Sequence, residues 1–267
     1  MLPTSMAAAA TPSGSSAADD PQDAALAFDA SNYTTLNVTV DGQPVSVRAY
    51  RELCYVANPV AAAPQQPGLG GGSSTIANTR CGYESMNVFV PESVAANQRT
   101  PIYFAVNNAG WATSYIRASV NAGATYNSAT SNVGAALKAG YVFIDVANRS
   151  RNLLGADGSY PGKSPAAVVD AKAAVRYLRL NDTAMPGSAE RIVINGTSGG
   201  GALVSILGAS GNSPEYLPYL AQIGGDRPRM GLRAVLGSVR ALHADRLGDG
   251  RELRALVPAL PGRPEYA

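Results

Sequence analysis

The sequence predicts an α/β fold: a mostly parallel sheet with helices on both faces. Three observations predict it. Short apolar runs at 101–106 and 141–146 have the length and composition of buried strands, and Ile192-Val193-Ile194 marks another at 191–195. Helical signatures at 131–138 and from 165 onward separate those runs, so strand and helix alternate, which calls for right-handed crossovers. Finally, a G-x-S-x-G pentapeptide, Gly196-Thr197-Ser198-Gly199-Gly200, follows the last apolar run and precedes the apolar segment 202–207.

Each element has its own local reason. Residues 34–40 alternate, with Leu36, Val38 and Val40 on one face; Asp41-Gly42 signals a turn, and Val45 and Val47 resume the alternation, which makes a hairpin. Met86 to Val90 reads as a strand ended by Pro91. The helix at 131–138 has Ser131 as N-cap and Gly140 beyond its end. Ser164-Pro165 has the N-cap and first-turn chemistry of a longer helix. Val168, Ala171, Val175 and Leu178 form its apolar stripe, with Asp170, Lys172, Arg176 and Arg179 mostly away from it. Ser213-Pro214-Glu215 opens a further helix by the same cap logic.

Composition bounds the function. The chain has 267 residues, enough for one α/β domain with a sizeable core, and 46% hydrophobic residues. A net charge of +2 gives no case for nucleic acid or an anionic membrane surface, and no apolar stretch approaches the ~20 residues of a membrane span. Residues 1–30 are low in complexity and read as a disordered N-terminus, with the stub of an export signal as the alternative. Cys54 and Cys81 bracket a Pro/Gly/Ser-rich stretch, 58–80, read as a flexible inserted loop. A disulfide between them would tie that loop off, worth roughly 3–4 kcal/mol, and would point to a secreted or extracytoplasmic location; two unpaired thiols are the alternative.

The pentapeptide carries the chemistry. A tight strand-to-helix turn thrusts a serine hydroxyl out above a sheet, and a Cβ at either flanking glycine would collide there. Ser198 is therefore the candidate nucleophile, and the scaffold is an α/β-hydrolase fold. An oxyanion hole needs two backbone N–H donors. One is expected from Gly199, the other from Asn108, Ala109 or Gly110 in the loop after the 101–106 strand; Trp111 would wall the acyl pocket or simply pack. The glycines at 68–72 follow no strand, open no helix and have no lysine, so they do not cradle phosphate. One histidine and two widely spaced cysteines make no zinc site, and no cofactor is expected. The single histidine, His243, comes too soon after Ser198: acid and base should follow in the order Ser, Asp/Glu, His after later strands, and only Glu215 and Asp226 intervene. The catalytic base and acid are thus unassigned. From 224 to 267 the chain is rich in arginine and without lysine, the character of a shifted reading frame or of a fragment's end.

Several segments resemble the subtype B bacterial tannases: Met86 to Pro91, Ala136 to Val142, Val169 to Tyr177, Asn195 to Gly201, and above all Gly208 to Ser213 with Glu215 and Pro218-Tyr219-Leu220. The likeness covers roughly 83–223, with a weaker extension over 33–60. It implies an α/β-hydrolase cleaving galloyl and related small phenolic esters through an acyl-enzyme on Ser198, with Gly199 and the 108–110 loop forming the oxyanion hole. It also implies that the family's lid, galloyl-contacting residues and catalytic Asp and His belong to a C-terminal half beyond this sequence. The residues alone leave open a general or feruloyl-type carboxylesterase, and a non-catalytic binding protein on the same scaffold.

Overall fold

The computed structural model describes residues 21–67, 73–75, 80–114 and 119–226. In chain order it contains α1 (Pro21–Ala25), β1 (Thr34–Val40), β2 (Gln43–Cys54), β3 (Gln65–Pro67), β4 (Ser73–Thr75), β5 (Ser85–Pro91), β6 (Ile102–Val106), β7 (Thr125–Tyr126), α2 (Asn132–Lys138), β8 (Val142–Val146), α3 (Ala166–Leu180), β9 (Ile192–Gly196), α4 (Gly199–Ser210) and α5 (Leu217–Gln222). Seven strands make one sheet in the order β7-β1-β2-β5-β8-β6-β9, and β3 and β4 pair separately.

The sheet is mixed, which corrects the mostly parallel expectation. β6 runs parallel to β8 and β9, and β1 parallel to β7, but β1–β2, β2–β5 and β5–β8 are antiparallel. Only the part beyond β6 is built by helical crossovers. Before it, the chain reverses direction: β1 and β2 form a hairpin through Asp41 (φ 49°) and Gly42 (φ 78°), the two left-handed residues a two-residue hairpin turn requires.

Helices do cover both faces. Ile102, Phe104 and Val106 of β6 pack with Val142, Ile144 and Val146 of β8 against α3 and α4, through Val168, Val175, Leu203 and Leu207. The alternate residues Tyr103 and Phe143 face Ala136 and Leu137 of α2. Leu26 and Phe28, within the stretch read as an N-terminal tail, are buried in the first of these cores; Asn181 fixes them, accepting from the Phe28 N–H at 2.9 Å and donating to the Leu26 carbonyl at 3.0 Å. β9 closes one side of the sheet, paired with β6 alone among the described residues.

Helix starts vary. Ser131 caps α2, its Oγ accepting from the Gly134 N–H at 3.2 Å. Ser164 does not cap α3: the helix begins at Ala166, and the Pro165 carbonyl accepts from the Val168 and Val169 N–H groups. Ser213 likewise makes no side-chain cap; a short 3₁₀ turn, Pro214–Tyr216, precedes α5.

The polar side of α3 departs from expectation. Asp170, Lys172 and Arg176 are all buried, although they lie off the apolar stripe. Partners explain two of them. Asp170 is paired with Arg149, and Lys172 reaches back to donate to the Gly211 carbonyl, just past the end of α4, at 2.5 Å, with its ammonium 4.5 Å from the centre of the Tyr216 ring.

Cys54 and Cys81 form a disulfide, with Cα atoms 5.4 Å apart. Part of the intervening segment is fastened to the body of the fold. The Ala63 N–H donates to the Leu154 carbonyl at 3.0 Å, and the buried Gln66 amide accepts from the Leu154 N–H at 2.9 Å and donates to its carbonyl at 3.0 Å.

Candidate functional site

The parallel register of β6 and β9 pairs Val106 with Gly196, so both strands end on the same rim of the sheet. The loop after β6 and the turn after β9 must therefore meet. At that turn Ser198 is exposed and adopts φ 55°, ψ −120°, a conformation rare for a residue with a side chain. α4 begins at the next residue. Glycine is obligatory around it because main chain meets main chain. A Cβ on Gly196 would run into the Gly200 carbonyl, one on Gly199 into the Asn108 carbonyl, and one on Gly200 would lie 2.6 Å from the Val106 carbonyl oxygen. The Gly199 N–H, first of the helix, has no intrahelical acceptor.

The loop opposite is a 3₁₀ turn, Ala109–Trp111, with Gly110 at φ 60° and Trp111 at φ 57°. The Gly110 nitrogen lies 3.2 Å from where a Cβ on Gly199 would be. The sequence-predicted residues Asn108, Ala109 and Gly110 are thus brought against Gly199, beside Ser198. The Asn108 side chain is buried and braces the loop instead of opening to the rim: its amide donates to the Ala112 carbonyl at 3.0 Å and to Asn148 Oδ1 at 2.8 Å.

Asn148 introduces a second bracing segment, 148–152, which sequence reasoning missed. Ser150 Oγ donates to the Trp111 carbonyl at 2.6 Å, Thr113 Oγ1 donates to the Ser150 carbonyl at 2.9 Å, and the Thr113 N–H donates to the Arg151 carbonyl at 3.2 Å. A signal existed: five polar residues, Asn148 to Asn152, come one residue after the end of a buried apolar strand.

Buried charge anchors that segment. The Arg149 N–H donates to Asp170 Oδ2 at 2.6 Å and its Nη2 to Oδ1 at 2.7 Å. Glu84 Oε1 is 3.2 Å from Arg149 Nε, an ion-pair contact without hydrogen-bond alignment, while its other oxygen accepts from the Val60 N–H at 2.5 Å. One guanidinium thus sits between two buried carboxyl groups. Burial, with the nearby Asp170 carboxylate, pushes the Glu84 carboxyl up to about 8 against the pull of Arg149. Asp170 is also pushed upward by burial, opposed by the same guanidinium.

Trp111, on the loop that abuts Gly199, borders a cleft of about 610 Å³, within the range of small-molecule sites. Trp111, Ser150, Arg151, Tyr160, Lys163 and Ile206 border it. Trp111 therefore faces a cavity as well as packing against the core; Ser198 itself does not line the cleft. His243 lies outside the described residues, so no histidine stands among them. The described residues contain no cluster of His, Cys, Asp and Glu fit for a metal, and none of their helices is long and apolar enough to cross a membrane.

Several solved structures similar to this one are tannases. The structure is similar to that of Fusobacterium nucleatum tannase, with a TM-score of 0.60 and 35% identity, covering 76% of this chain and 39% of that one. It is similar to Lactobacillus plantarum tannase at TM-score 0.60 and 32% identity, covering 76% and 40%. A tannin acyl hydrolase in complex with ethyl gallate gives TM-score 0.60 and 31% identity, covering 76% and 41%. The chain therefore spans about two fifths of the length of these enzymes. No curated protein sequence matches it. The family model BD-FAE, an esterase domain, matches residues 86–226, more than half of the chain. This chain belongs to the BD-FAE family.

Proposed function

We propose that this protein is a serine ester hydrolase acting on galloyl and related phenolic esters, with Ser198 as the nucleophile. The observation that carries the reading is the exposed Ser198 at positive φ, set between β9 and α4 with Gly199 pressed against the 108–110 loop. Ser198 Oγ attacks the ester carbonyl carbon, and the electron pair of the C=O bond moves to oxygen. The N–H of Gly199 and one from the 108–110 loop stabilise that oxyanion. The alcohol departs with a proton, leaving the acyl group on Ser198, and water then releases the acid. A base must take the Ser198 proton, because an unassisted hydroxyl is a poor nucleophile at neutral pH; no histidine stands among the described residues to serve as one. The substrate class rests on likeness: the similar tannin acyl hydrolases hold ethyl gallate and 3,4-dihydroxybenzoate.

A fluorophosphonate probe on the full-length protein tests the nucleophile. Labelling is expected at Ser198 and lost in Ser198→Gly, a substitution compatible with φ 55°. The same change should lower kcat/KM by at least about a thousandfold. Methyl gallate, methyl ferulate and p-nitrophenyl acetate assayed together test the substrate class. Cleavage of p-nitrophenyl acetate alone would sink the galloyl reading.

A further inference from the structure

The cleft bordered by Trp111 and Arg151 has a marked chemical character. Its walls include Trp111, Tyr160 and Ile206, and the last two are among the few large apolar side chains left exposed in the described residues. Its charges are Arg151 and Lys163, and no acidic residue borders it. Four cations elsewhere are ion-paired: Arg48 with Glu92, Lys138 with Asp41, Arg149 with Asp170 and Glu84, and Arg179 with Glu190. Arg151 and Lys163 make no ion pair among the described residues, and both are exposed.

Arg151 is also close to the chemistry. Its Nη2 lies 3.6 Å from where a Cβ on Gly110 would stand, and Gly110 abuts Gly199. The 148–152 hydrogen bonds fix its main chain against the same loop. A guanidinium so placed, with an ammonium and aromatic walls further along, suits an aromatic carboxylate.

We propose that Arg151, assisted by Lys163, is a specificity-determining residue selecting esters whose alcohol portion carries a carboxylate. This rests on the reading of Ser198 as the nucleophile of a galloyl esterase. Once gallate is esterified its own carboxylate is consumed, so an anionic group on such a substrate belongs to the alcohol. The scissile carbonyl oxygen then faces the N–H groups of Gly199 and the 108–110 loop, and the alcohol ring lies along Trp111 and Tyr160 with its carboxylate on Arg151.

The test is equilibrium binding to the full chain carrying Ser198→Gly, using 3-(galloyloxy)benzoate and its methyl ester in low salt. The carboxylate should bind about tenfold or more tightly than the ester, from charge-assisted hydrogen bonds. Adding Arg151→Gln should bring the two affinities within about twofold, and Arg151→Lys should keep part of the preference. Equal affinities at the start, an Arg151→Gln effect falling equally on both ligands, or no binding of either overturns the proposal. Fluorophosphonate labelling of the unsubstituted protein separates this from the nucleophile reading. Labelling without carboxylate preference defeats the subsite alone, and preference without labelling defeats the nucleophile alone.

Discussion

At the β9–α4 turn, Gly196, Gly199 and Gly200 let one stretch of backbone press directly on another. A short distance away, the 148–152 segment is held by Arg149 locked to Asp170, with Glu84 alongside. The first corner is rigid because side chains are absent. The second is rigid because charged side chains are buried and matched. Both fix the same object, the 108–114 loop. The lesson is that a wall of backbone donors can be held both by steric exclusion and by ion pairing, and only the second responds to pH.

The largest expected effect breaks the charged side. Asp170→Ala leaves Arg149 buried without its main partner and should cost about 3–5 kcal/mol, read by urea denaturation. Replacing both, with Arg149→Met and Asp170→Leu, should recover most of that. If the double change is as damaging as the single one, ion pairing is not what holds this corner.

Next is the glycine side. Gly199→Ala drives a methyl group into the Asn108 carbonyl and should cost about 1–3 kcal/mol while abolishing fluorophosphonate labelling. Unchanged stability would mean that the close approach can relax.

The pH contrast sharpens the comparison. Glu84, raised in the folded state to about 8 from an ordinary 4.5, holds a proton that the unfolded chain releases. Its contribution to stability is complete below about pH 4.5 and is lost as pH rises toward 8. Tm of the parent should therefore fall between pH 5 and pH 8.5 more steeply than that of Glu84→Gln. Parallel slopes for the two proteins would remove Glu84 from the account. The smallest effect is a control within α4: a Cβ on Gly208 meets nothing within 4 Å, so Gly208→Ala should stabilise by about 0.4–1 kcal/mol.

These two corners differ equally in how they read from sequence. The turn is legible because its requirements are local: an apolar run, then glycines at fixed spacing around a serine, then another apolar run. Strand positions were legible for the same reason, from β5 through β9 except the two-residue β7. Strand direction was not, because β5 pairs with β2 and β8 across long separations that periodicity does not encode. The charged corner was hidden by the very rule that located α3. A 3.6-residue period separates Asp170, Lys172 and Arg176 from Val168 and Val175, but it does not reveal that Arg149 or the Gly211 carbonyl waits on that side. Trp111 fell in the loop next to Ser198 on both readings, whereas Arg151 became visible only once Gly110 was placed beside it.

The position of β9 has a geometric consequence for catalysis. One rank of its main-chain donors and acceptors faces β6, and the opposite rank has no strand against it among the described residues. A strand that joins on that flank lies about 4.8 Å from the one carrying Ser198. If it runs in the same direction, its outgoing loop emerges on the serine's own rim. Such a strand would deliver its loop one strand spacing from Ser198.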